Sequence, residues 1–213
     1  MDRETSIWAA VDAERAGLAD LLEDLSADEW EHSSLCAGWR VRDVAAHLAL
    51  AHMGIGAVIP AIVRARGSVD RMIRDTALVH AAVPADEIVA EIRGMVGSRR
   101  RAPGVSMVEP LIDVLVHGQD IAVPLGRERV VPPAAAAIAA TRVWTMGWPF
   151  WARRRLRGLA LRATDHPWEV GAGNRIEGPM GDLLLLLTGR TVVLPRLSGE
   201  GVAMLEGRTT TVR

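Results

Sequence analysis

Through its first two-thirds the chain repeats apolar residues at helical spacing; after Trp148-Pro149-Phe150 this gives way to alternation and glycine-rich turns. That switch is the strongest constraint on the fold. It requires a helical part that buries one stripe per helix, followed by a smaller mixed part. Ile7, Trp8, Val11, Leu18, Leu21 and Leu22 mark a first helix from Thr5 to about Leu25. Ser26-Ala-Asp-Glu29 has the capping-box pattern and opens a short helix carrying Trp30. Residues 33–38 read as a loop, and Trp39 leads into a long helix through His47 to about Arg66, which Pro60 is expected to kink or break. Ile88, Val89, Ile92 and Val96 share a stripe over Ala85 to Arg99. Ser106-Met-Val-Glu109 forms a second capping-box pattern, opening a helix to about Ala122, and Pro132-Pro133 opens an alanine-rich helix to about Met146.

In the tail, Leu159, Leu161 and Ala163 alternate with other residues, Val170 and Ile176 flank a glycine-rich turn, and Val202 to Leu205 reads as a short strand. Met180 to Leu187 reads as a helix closed by Gly189. The expected architecture is therefore α+β, with a helical domain over 1–150 and a small α/β domain over 151–213.

Composition narrows the function classes. The 213 residues are 49% hydrophobic and 24% charged, too apolar for a disordered chain. A net charge of −1 offers no basic excess for nucleic acid. The single cysteine, Cys36, excludes an internal disulfide framework and any multi-cysteine zinc site. All 25 basic residues are arginine and tyrosine is absent, a bias expected of a GC-rich genome. The charged N-terminus lacks the apolar core of a signal peptide, and the longest strongly apolar run, Leu183 to Leu187, falls far short of the ~20 residues that cross a bilayer. A cytoplasmic protein without membrane partners is expected.

Of six histidines, one has a carboxylate at a meaningful spacing. Asp113 and His117 are i and i+4 on one helix, about 40° apart in projection, so both side chains can reach one point. A third ligand must come from elsewhere, and His47, mid-helix in the apolar run Val44-Ala-Ala-His-Leu-Ala-Leu50, is the best candidate. His52 lies about 140° further round and cannot share a metal with His47 on an unbroken helix. The alternative is a helix-surface pair plus a satisfied core histidine. Cys36 has no base nearby in sequence and reads as a structural thiol. Arg190, just past the leucine-rich helix, suits either its C-terminal dipole or a substrate carboxylate.

Trp30 and the run Leu35-Cys-Ala-Gly-Trp-Arg-Val-Arg-Asp-Val-Ala-Ala-His-Leu48 resemble the N-terminal signature of the mycothiol-dependent maleylpyruvate isomerase family. Asp113-Val-Leu-Val-His-Gly-Gln-Asp120 resembles that family's second metal motif, with aspartate in place of the usual glutamate. Leu161-Arg-Ala-Thr-Asp165 with Trp168, Gly178-Pro179 and Leu183 to Arg190 extend the resemblance into the tail. It implies a DinB-like four-helix bundle followed by a sterol-carrier-like α/β domain. It also implies a divalent metal, zinc by the donor types, on His47, Asp113 and His117, and mycothiol, the thiol of many actinobacteria, as cofactor. The implied chemistry is isomerisation or S-transfer on a small electrophile. Independently of the resemblance, the place of Arg190 after the leucine-rich helix makes it the candidate catalytic residue of the tail, binding a substrate carboxylate. A metal-dependent hydrolase and a non-catalytic small-ligand-binding protein are the alternatives. Aspartate shortens the ligand arm by about 1.5 Å, one carbon–carbon bond.

Overall fold

The computed structural model describes residues 2–52, 55–101 and 104–210. By contact the chain divides into Met1–Arg129 and Val130–Arg213. The division falls earlier than the switch in sequence pattern near residue 150, and places the alanine-rich helix with the tail.

In the first unit, α1 (Arg3–Glu23) starts where the Asp2 side chain accepts a hydrogen bond from the Thr5 amide at 2.8 Å. The capping box at Ser26 forms as expected: Ser26 Oγ accepts from the Glu29 amide and Glu29 Oε2 accepts from the Ser26 amide, opening α2 (Ala27–Glu31). Next come α3 (Val41–Ala49), α4 (Ile55–Arg64), α5 (Val69–His80), α6 (Ala85–Gly94) and α7 (Glu109–Ala122). α1 packs against α6 and α7, and α3 packs against the same two, which closes a four-helix ring. Its interior holds Leu18, Leu22, Val44, Ala45, Ile88, Ile92, Val114 and Ile121.

Three expectations for this unit need correction, and one of its helices was not anticipated. The long helix from Trp39 to Arg66 is not continuous: α3 ends at Ala49, and the ladder tightens into a 3-10 turn over Leu50–His52. Pro60 lies within α4 and does not mark the break. α5 was not legible, because exposed Leu78 and Val79 blur its apolar stripe and only Ala77 is buried. α6 stops at Gly94, five residues before Arg99; Val96, the last residue of the expected stripe, is exposed, and Gly97 turns the chain with φ +80°. α7 begins at Glu109 with no side-chain cap on Val108. Ser106 Oγ instead accepts from the Val108 amide and is hydrogen-bonded to the Glu109 carboxylate.

The second unit contains α8 (Pro133–Thr145), α9 (Ala152–Arg155), strands β1 (Leu159–Ala163), β2 (Glu169–Gly171) and β3 (Asn174–Gly178), then α10 (Met180–Leu187) and α11 (Glu200–Thr210). β1 is central, antiparallel to β2 and parallel to β3, with Leu161 opposite Val170 on one side and Ile176 on the other. The alanines of α8 leave room for α10, whose residues Leu183 to Leu187 are all buried. Asp165 Oδ1 accepts from the Met180 amide at 2.8 Å and so caps α10 from outside. Gly173, at φ +120°, turns from β2 into β3 where a Cβ would lie 2.2 Å from the Gly158 carbonyl oxygen, so no other residue fits. The strand expected over 202–205 is instead part of α11. Val202 and Leu205 are one helical turn apart, and Gly201 lets the helix approach β3 where a Cβ would meet Ile176 Cγ1 at 2.6 Å. Among the described residues no helix is long and apolar enough to cross a membrane.

Candidate metal centre

Along α7 the backbone presents one face differently from the rest. Glu109, Asp113 and His117, spaced i, i+4 and i+8, are half-buried, whereas Pro110 to Ile112, Val114 to Val116 and Gly118 are buried. On α3, His47 is half-buried between buried Ala46 and Leu48. The packing of α3 on α7 brings the two histidines together, ring centroids 5.0 Å apart at 85°. Trp39 meets His47 from the other side, edge to face at 5.8 Å.

Asp113, one turn before His117, experiences the charges of His117, Glu109 and Arg15. Burial raises its pKa and Glu109 adds to the rise, while His117 and Arg15 oppose it. It also lines a cavity of about 20 Å³ together with Arg15, whose buried guanidinium donates to the Met95 carbonyl at 2.9 Å. His52, at the end of the 3-10 turn, lies 3.5 Å from Arg15 through its Nε2.

The residue that sequence reasoning missed is Asp120, fully buried on the next turn of α7. Its Oδ2 is 2.8 Å from His117 Nδ1 and accepts a hydrogen bond from Cys36 Sγ at 3.1 Å. Cys36 Sγ is 3.8 Å from the same imidazole nitrogen. The i, i+3 spacing of His117 and Asp120 was a legible signal. The approach of Cys36, 84 residues away, had none; it depends on the Leu35 amide bonding to the Asp120 carbonyl at 3.0 Å, which pins the loop to α7. Ligand atoms of Cys36, His117 and Asp120 all lie within 4.8 Å of one another, close enough to form a possible metal-binding group.

His117 therefore belongs to this group and also meets His47; among the described residues, Asp113 does not join the two histidines in such a group. Burial, reinforced by His117, pushes the pKa of His47 down to about 3, so its ring is neutral and its lone pair available at neutral pH. Burial works against a charge on His117, but the hydrogen bond to Asp120 and the contact with Cys36 outweigh it and raise its pKa to about 10. With Nδ1 turned to Asp120, Nε2 is the nitrogen left for a metal, the usual carboxylate–histidine–metal arrangement. His47 is already neutral, whereas His117 must give up its Nε2 proton to a metal; with that proton displaced, two imidazoles and the Asp113 carboxyl are donor types that a divalent metal takes.

In the second unit, Arg190 follows Gly189, which turns out of α10 with φ +95°. Its amide donates to the Leu185 carbonyl at 2.8 Å and its guanidinium to the Thr188 carbonyl at 2.7 Å. Arg155 donates to the Leu187 carbonyl at 2.7 Å, so two guanidiniums serve the C-terminal end of this helix.

Residues 11–103 match the family model of the mycothiol maleylpyruvate isomerase N-terminal domain. Two solved structures match the whole fold: the mycothiol-dependent maleylpyruvate isomerase and a histidine-to-alanine variant of it. Each is 12% identical, covers 93% of this chain and 93% of its own, and superimposes with a TM-score of 0.66. The likeness establishes a maleylpyruvate-isomerase-like fold, α+β with a helical first domain. No curated protein matches the chain in sequence.

Proposed function

We propose that this chain is a metal-dependent enzyme that uses mycothiol as its thiol cofactor, for isomerisation or S-transfer on a small electrophilic substrate. The observation that carries the reading is the meeting of His47 and His117 at 5.0 Å, with Asp113 one turn away on the same face of α7. His47, Asp113 and His117 would hold the ion, and zinc suits this nitrogen and oxygen donor set. When bound, such an ion supplies the Lewis acidity that keeps an incoming thiol deprotonated at neutral pH.

The protein's own residues do the rest. His47 needs no proton removed before it can donate its lone pair, because burial keeps it neutral. Asp120 fixes the ring of His117 through Nδ1 and prevents it from turning away. Trp39 packs against the His47 ring in a T-shaped contact at 5.8 Å and helps to hold its orientation. Arg190, oriented by its bond to the Thr188 carbonyl, is assigned to a carboxylate of the substrate, for which a guanidinium is the best-matched partner.

The test is turnover of maleylpyruvate, and of a simple thiol-reactive electrophile, by protein loaded with zinc in the presence of mycothiol. Turnover that requires both zinc and the thiol is the expected result. Turnover of an ester or amide with zinc alone would favour a hydrolase and overturn the thiol assignment.

A further inference from the structure

We infer that Cys36 is a positioning residue for the metal centre, acting on His117 through Asp120. This rests on the reading of His117 as a metal ligand and extends it one shell outward. Asp120 has no exposed surface, and a buried carboxylate must be satisfied by donors. One of its oxygens, Oδ2, is 3.1 Å from Cys36 Sγ and 2.8 Å from His117 Nδ1. The sulfur also lies 3.8 Å from Nδ1, at the long end of the range for a sulfur contact, so the shorter route from thiol to imidazole runs through Asp120. Thiol and imidazole are therefore linked through one acceptor: Cys36 S–H and His117 Nδ1–H both donate to Asp120 Oδ2.

The backbone supports the same chain. Ser34 Oγ accepts from the Cys36 amide at 3.1 Å and donates to the Trp39 carbonyl at 2.9 Å, and the Trp39 amide donates to the Cys36 carbonyl at 3.0 Å. The loop that carries the thiol is thus closed on itself and bonded to α7 at Asp120. Removing the S–H leaves Oδ2 with one donor fewer, which weakens the hold that the carboxylate has on the orientation of His117. Loss of an outer partner of a ligating histidine typically weakens metal binding by about 10–100-fold. The thiol acts here as a hydrogen-bond donor; its nucleophilicity is not used.

The experiment measures zinc affinity by chelator competition for the parent, Cys36→Ala, Cys36→Ser and His117→Ala, with thermal unfolding of each metal-free protein as a check on folding. Cys36→Ala is expected to weaken zinc binding about tenfold or more. Cys36→Ser, which keeps an O–H donor toward Asp120, is expected to stay close to the parent. Unchanged affinity in Cys36→Ala overturns the inference. Equal losses in both cysteine variants also overturn it, and a thiolate-to-cobalt absorption band in the cobalt-loaded parent would then identify Cys36 as a ligand. If His117→Ala leaves zinc affinity unchanged, the metal-centre reading itself fails, an outcome distinct from either of the others.

Discussion

Gly118, immediately after His117 on α7, gives a prediction whose sign depends on two opposed effects. Replacing a helical glycine by alanine ordinarily stabilises by about 0.5–1 kcal/mol. At Gly118, however, a Cβ would lie 2.6 Å from Arg129 Nε and 3.3 Å from its Cδ. Arg129 cannot move aside cheaply. Its Nη2 donates to Glu14 Oε2 at 2.6 Å and to the Glu14 carbonyl at 2.9 Å, and both side chains are about nine-tenths buried. On the facing helix, Gly17 leaves 3.5 Å for Nη1, so the arginine lies in a groove between two glycines. Displacing one member of a buried ion pair costs about 3–5 kcal/mol. The clash wins, and Gly118→Ala should lose about 2–4 kcal/mol, a fall in melting temperature of roughly 5–15 °C for a chain of this size. Urea titration followed by circular dichroism at 222 nm measures the difference. Gly94→Ala is the matched control: its Cβ meets nothing within 4 Å, and it should gain up to about 1 kcal/mol. A Gly118→Ala protein as stable as the parent would show instead that Arg129 swings free of Glu14 at little cost.

Asp113→Glu restores the longer arm and should keep or raise zinc affinity, whereas Asp113→Ala should lower it; equal losses in a chelator titration would make Asp113 a packing residue. Arg190→Lys should raise KM for a carboxylate substrate with little change in melting temperature, and unchanged kinetics would return Arg190 to a structural role at the end of α10. In metal-free protein, His47 titrates near 3 when folded and near 6.5 when unfolded. As pH falls from 6.5 toward 3 the unfolded chain takes up a proton that the folded chain refuses, so stability drops through that window, and His47→Gln should flatten the drop in a pH series of melting temperatures. His117 has the opposite sign: its contribution is complete below pH 6.5 and is lost as pH rises through about 10.

Much of this architecture was written in apolar spacing. α1, α6 and α7 each bury a stripe that the sequence displays, and Ser26-x-x-Glu29 announces its own cap. The elements that could not be read lack such a signal. α5 exposes Val79 to the extent of 77%, and α11 presents Val202 to Leu205 in a run too short to separate a strand from a helix. The same distinction holds at the site. Asp113 and His117 are neighbours by helix geometry, and the loop pattern around Trp39 leads to His47; these relations survive in one dimension. That Cys36 reaches Asp120 depends on how a loop docks on a helix 84 residues later, and no local spacing encodes that. Arg129 was invisible for the same reason: its partner Glu14 is 115 residues away and its groove needs two glycines on different helices.

His47, Asp113 and His117 are proposed to hold one divalent metal. Metal content of the purified protein, with zinc affinity of the parent, His47→Ala and His117→Ala measured in parallel, tests it most directly. One metal per chain in the parent, and zinc binding lost in both variants while each still folds, is the predicted result. A metal-free parent whose weak affinity for added zinc is the same in all three proteins would contradict it.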